Sequence, residues 1–144
     1  ILAKEKALDF VDTDVLIQVR EGKTLQDILD STDYLNLRAI EEQTLLSVDL
    51  SHHIIATGGS AVYSQKGMEH LQTLGPIVFL SCSLQELRRR IHNYESRGIA
   101  RRPDQSFEAL FEERSVLYRR YANHVIECDG KNQETILAEI MERI

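Results

Sequence analysis

Four short apolar runs, separated by stretches of helical periodicity, most constrain what this chain can fold into. They are Phe10-Val11, His53 to Thr57, Ile77 to Leu80 and Val125-Ile126. Each is apolar throughout instead of at alternate positions, as expected of a strand covered on both faces. The segments between them are long enough for crossover helices. The expected fold is therefore α/β, a three-layer parallel sheet covered by helices on both faces. At 144 residues and 42% hydrophobic content, the chain has material for one domain with a buried core, over 1–144.

Local signals place the helices. Ile1 to Ala7 has the spacing of the second half of an amphipathic helix, with no cap before it. Val15 to Glu21 stops at Gly22, a left-handed cap, and Thr24 caps a short turn carrying Leu25, Ile28 and Leu29. A longer helix is expected from Thr32 to Ser47, with Leu35, Ala39 and Leu46 inward. Ser64 to Leu74 closes at Gly75-Pro76. Ser83 caps a helix with the stripe Leu84, Leu87, Ile91 and Tyr94, and Glu86 is placed to complete a capping box. Ser106 opens a helix with Phe107, Leu110, Phe111, Leu117, Tyr118 and Tyr121 inward, and Thr135 to Ile144 closes the chain.

Composition removes several function classes. Lys and Arg total 17 against 23 Asp and Glu, a net charge of −6, opposite in sign to the footprint of a generic nucleic-acid or anionic-membrane binder. No apolar run approaches the roughly 20 residues of a membrane span. Cys82 and Cys128 are too few for a disulfide framework and read as reduced thiols of a cytoplasmic protein. The five histidines have no metal-ligand spacing.

In open parallel sheets ligands gather beyond the carboxyl ends of the strands. Asp12 and Asp14 follow the first run, and Gly58, Gly59 and Ser60 follow the second. In extended geometry the two acids point the same way, so one can face a metal and the other a substrate hydroxyl. The competing reading is a helix N-terminus supplied with carboxylates. Arg38 stands beside Glu41 and Glu42, where a solvated face with local ion pairs is the simpler account, and Arg114 has the same alternative. The loop holding Arg97, Arg101 and Arg102 is basic in an acidic protein, which favours closure over phosphates. Arg88-Arg89-Arg90 reads as a wet helix face balancing local acids.

In combination these residues resemble the shikimate kinase family of P-loop small-molecule kinases, whose fold is nucleoside-monophosphate-kinase-like. The ordered series is Phe10-Val11-Asp12-Thr13-Asp14 with Ile17, then Gly22, then Leu37-Arg38 with Glu41. It continues through Ile54 to Val62, Arg102-Pro103, and Arg114 with Leu117-Tyr118 and Ala122. The resemblance implies that Asp14 holds the substrate hydroxyl and accepts its proton, and that Asp12 helps place Mg²⁺. It implies that Arg38 and Arg114 grip the shikimate carboxylate and that Gly58 and Gly59 bring backbone against the substrate. It further implies that Arg102, in a lid over about 97–105, reaches the ATP phosphates and that Lys131 lies beside the adenine. ATP, Mg²⁺ and shikimate are the implied partners of a monomer.

Three departures accompany the likeness. The phosphate loop G-x-x-x-x-G-K-[ST] does not occur in these 144 residues. The resemblance places its strand, the first of the sheet, upstream of Ile1, and without it the chain is expected to bind ATP poorly. Ser60 stands where a third glycine is usual. Arg102 and Arg114 are 12 positions apart, a shortened lid, with Asp104-Gln105 after Pro103. The expected activity is transfer of the ATP γ-phosphate to the 3-hydroxyl of shikimate in aromatic amino acid biosynthesis. A gluconate-type kinase, or a kinase-like domain that binds without turnover, remains open at this point.

Overall fold

The computed structural model describes residues 1–91 and 102–144. Strands β1 (Asp9–Asp12), β2 (His53–Ala56), β3 (Val78–Ser81) and β4 (His124–Glu127) fall on the four apolar runs. Helices α1 (Leu2–Glu5), α2 (Thr13–Glu21), α3 (Leu25–Ser31), α4 (Tyr34–Ser47), α5 (Gln65–Leu74), α6 (Leu84–Arg90), α7 (Phe107–Tyr121) and α8 (Gln133–Arg143) alternate with them, and a 3-10 turn, Gly59–Tyr63, leads into α5.

The strands pair in parallel, β1 with β2 (Phe10 opposite Ile54) and β3 with β4 (Phe79 opposite Val125). Among the described residues no ladder joins β2 to β3, so the expected single sheet is present as two parallel pairs. A cavity of about 490 Å³ lies where that ladder would run, lined by Thr57 to Ser60 beyond β2 and by Val78, Phe79 and Leu80 of β3.

Helices cover both faces. Val78 packs with Ile126, Cys128, Ile136, Ile140 and Leu2, which puts α1 and α8 on one side. Phe79, the next residue, faces the other way, because successive strand side chains alternate, and its ring lies 4.9 Å from that of Tyr118 on α7. On this side Leu45, Ala61, Val62, Met68 and Leu71 form the main core, with Ile55 and Ile77 packed against it. A third cluster, Ile17, Ile28 and Leu37, ties α2, α3 and α4 together.

Most end signals hold. Gly22 ends α2 at φ 65°, Thr24 Oγ1 accepts from Asp27 N at 3.1 Å, and Ser106 Oγ accepts from Ala109 N at 3.1 Å. The capping box at Ser83 forms only by half. Ser83 Oγ accepts from Glu86 N, but Ser83 N donates to Asp129 Oδ1 at 3.0 Å. The Glu86 carboxylate is instead taken by Arg89 and Arg90, each at 2.6 Å, since two guanidinium groups outcompete one amide. Arg88 pairs with Glu108, which completes the wet basic face. Helix α4 starts at Tyr34, capped by Asp33, and its inner face differs from expectation. Leu37, Glu41, Thr44 and Leu45 are buried, whereas Leu35 is 56% and Leu46 39% exposed.

Arg97, Gly98, Arg101 and Tyr94 lie outside the described residues, as does most of the expected lid over 97–105. Both cysteines are free thiols. Among the described residues no helix is long and apolar enough to cross a membrane. Leu45 is fully buried beneath the 3-10 turn. Leu45→Ala should therefore cost about 2–5 kcal/mol of unfolding free energy, measured by denaturant titration.

Candidate active site

The site begins where β1 hands over to α2. Asp12 caps that helix, its Oδ1 accepting from Asp14 N at 2.9 Å and from Val15 N at 3.4 Å. Asp14 therefore sits in the first helical turn and not in extended geometry, so the helix start and not strand alternation aims its carboxylate. Burial, and then the charge of Asp12, push the Asp14 carboxyl above its ordinary range.

After β2 the chain crosses directly over that carboxylate. A Cβ on Gly58 would overlap the Asp14 carboxylate, with Oδ2 at 2.7 Å, and a Cβ on Gly59 would stand 2.8 Å from both Arg114 Nη1 and the Tyr118 hydroxyl. A side chain at either position would have to push the acid, the guanidinium or the tyrosine aside. Tyr118 donates its hydroxyl to Gly59 O at 2.8 Å and so pins the turn to α7. Asp14, Gly58, Gly59 and Arg114 line the 490 Å³ cavity together with Glu41 and Ser60.

Arg38 reaches the site from α4 through an aromatic plate. Its guanidinium carbon stands 3.6 Å from the centre of the Tyr63 ring and 4.9 Å from that of Tyr34, while that of Arg114 is 5.6 Å from the Tyr63 ring. Arg38 lines a smaller adjoining cavity with Glu41, Ser60 and Tyr63. The solvated face of ion pairs is not what forms: among the described residues Arg38 has no ion pair with Glu41 or Glu42, and Glu42 accepts from the Ser64 hydroxyl. Stacking of this kind contributes about 0.5–2 kcal/mol and holds a guanidinium without neutralising it. The Tyr63 hydroxyl donates to Glu113 Oε2 at 2.7 Å, and Gln105 Nε2 donates to the same oxygen at 2.9 Å. Those bonds, Gln105 first, hold the Glu113 carboxyl below its ordinary range.

The remaining expected site residues do not line this cavity. Arg102 is exposed, and its charge reaches Glu113. Lys131 follows β4, with Nζ 2.6 Å from Glu139 Oε1. Among the described residues no group of three or more His, Cys, Asp and Glu gathers to hold a metal. Both cap bonds of Asp12 use Oδ1. The neighbouring carboxylates Asp12 and Asp14, of which Asp12 raises the cost of charge on Asp14, suit a Mg²⁺ held at Asp12 that brings phosphate oxygens and waters as its other ligands. They do not make an all-protein cage. Glu41, Tyr63 and Tyr118 as working parts of the site are not evident from spacing, because each sits on a helix or turn whose pattern also suits packing.

The shikimate kinase family model matches residues 1–144. The chain belongs to the shikimate kinase family. A shikimate kinase of Sulfurihydrogenibium sp. is 31% identical over 145 residues, covering 100% of this chain and 87% of the relative. One of Pseudomonas entomophila is 31% identical over 147 residues, covering 100% and 86%. Among solved structures, shikimate kinase from Acinetobacter baumannii in complex with shikimate superposes with a TM-score of 0.85 at 24% identity, over 99% of this chain and 81% of that one. The Aquifex aeolicus shikimate kinase gives 0.82 at 24%, over 98% and 83%. At that identity the two structures establish the family's fold. The parallel α/β architecture expected from the sequence is thus the fold of shikimate kinases.

Gly58→Ala should leave far-UV circular dichroism unchanged and lower kcat about 100-fold, because the new methyl displaces Asp14. Gly59→Ala, which displaces Arg114, should act mainly on KM for the acid substrate.

Proposed function

We propose that the protein transfers the γ-phosphate of ATP to the 3-hydroxyl of shikimate, as a monomeric single kinase domain in the cytoplasm. The observation that carries the residue assignments is the glycine turn seated between Asp14 and Arg114 in one cavity. The two free thiols accord with a reducing compartment.

In this reading the substrate ring rests on the Gly58–Gly59 backbone. Arg114 and Arg38 take its carboxylate with planar forks. Tyr63 fixes both guanidinium groups from the side, and Asp14 holds the reacting hydroxyl. As the hydroxyl oxygen bonds to the γ-phosphorus, the bond from that phosphorus to the bridging oxygen breaks, ADP leaves, and the proton passes to Asp14. Asp12, with Oδ2 outside the cap, would hold Mg²⁺ beside the phosphates. The ion supplies charge neutralisation when bound. Phosphoryl transfer asks a protein mostly for positioning and electrostatics, and these residues supply both on the acceptor side.

On the nucleotide side Arg102 is assigned to the phosphates from a lid over about 97–105, and Lys131 to the neighbourhood of the adenine. Exposure of Arg102 and the place of Lys131 beyond β4 support those assignments.

An ADP-release assay on the intact protein, with shikimate and gluconate in parallel, tests the reading. Release with shikimate and none with gluconate is expected, and the reverse pattern overturns the substrate assignment. Asp14→Asn should cost about 10²–10⁴-fold in kcat with the fold retained. Arg114→Ala should raise KM for shikimate with little change in that for ATP.

A further inference from the structure

At the floor of the substrate cavity lies a carboxylate with no task in the scheme above. Glu41 on α4 is 4% exposed. Its Oε2 accepts the Ser60 hydroxyl at 2.6 Å, and its Oε1 is buried with no hydrogen-bond partner. The groups facing it are Asp14 from α2, Arg38 from its own helix, and Arg114 and the Tyr118 hydroxyl from α7. From the 3-10 turn it meets Ser60, with Tyr63 beyond, while Glu42 is turned to Ser64.

We propose that Glu41 is a positioning residue that couples proton uptake to binding of the substrate's carboxylate, and that the Ser60 hydroxyl sets the pH at which this coupling acts. The inference rests on the reading of Arg38 and Arg114 as the carboxylate clamp.

In the empty site the two guanidinium groups help keep Glu41 ionised. A substrate carboxylate seated on them takes up that positive charge and brings a like charge into a poorly hydrated cavity. Glu41 is then better neutral, and the unpartnered Oε1 is the oxygen that carries the proton. Burial pushes Glu41 up to about 7, with the Ser60 hydroxyl the largest opposing cause, so proton uptake falls within the working range. Ser60 donates more strongly to the charged carboxylate than to the neutral one and so resists uptake.

The direction follows from linkage. Substrate raises the Glu41 value above that of the free protein. Affinity is therefore full below the free value and falls as pH rises through it, by up to about tenfold per unit.

The test is calorimetric titration of shikimate into the intact protein from about pH 6 to about pH 9. It is paired with a carboxyl ¹³C NMR titration of Glu41 in the substrate-free protein. Wild type should bind more weakly above about 7, Glu41→Gln should show no such break, and Ser60→Ala should move both the break and the NMR midpoint upward. A flat wild-type profile with binding intact, or a break that persists in Glu41→Gln, overturns the proposal. If shikimate fails to bind at any pH while Ser60→Ala still raises the NMR midpoint, the Ser60 control of Glu41 stands and the substrate reading is what fails.

Discussion

The close passage of the Gly58–Gly59 backbone between an acid and a guanidinium is the constraint on which the rest of the site depends. Asp14 and Arg114 come from helices far apart in the chain and flank a turn where a methyl group would have to push one of them aside. The turn holds its place because Tyr118 grips its carbonyl and because Ala61 and Val62, two and three residues beyond Gly59, are packed into the core with Leu45. Core packing on α4 and α5 is thereby transmitted to the surroundings of the Asp14 carboxylate. A loop positioned by a rigid scaffold in this way keeps its geometry without needing a ligand.

Arg38 is held by aromatic faces instead of by the acids next to it in sequence, which keeps its positive field directed into the site. Tyr63 serves as the shared plate, and its own orientation is set by Glu113, itself steadied by Gln105. An acidic protein that must receive an acidic ligand needs such local positive regions. Here they are made by stacking and burial, whose contributions survive salt better than exposed ion pairs do.

Much of this was legible in the chain itself. The four strands, the left-handed stop at Gly22, and the caps at Thr24, Ser83 and Ser106 follow from local chemistry and occur where that chemistry puts them. The acids after β1 and the glycines after β2 follow from where ligands gather in parallel sheets. Helix α4 departs from its sequence pattern for a physical reason. Its buried stripe contains Glu41 and Thr44, so periodicity of apolar residues points instead to Leu35, Ala39 and Leu46, which are turned outward. A polar residue that is buried erases the signal by which burial is recognised. The capping box at Ser83 failed because its Glu86 had two arginines within one helical turn, a competition that no short motif describes. Strand pairing, being non-local, was open to sequence only as a class, and the division of the sheet into two pairs was not visible.

That division has a consequence beyond the site. Among the described residues the facing edges of β2 and β3 each present backbone donors and acceptors with no ladder partner, next to apolar side chains such as Leu80, which is 52% exposed. Such rims are templates for any extended peptide of suitable sequence.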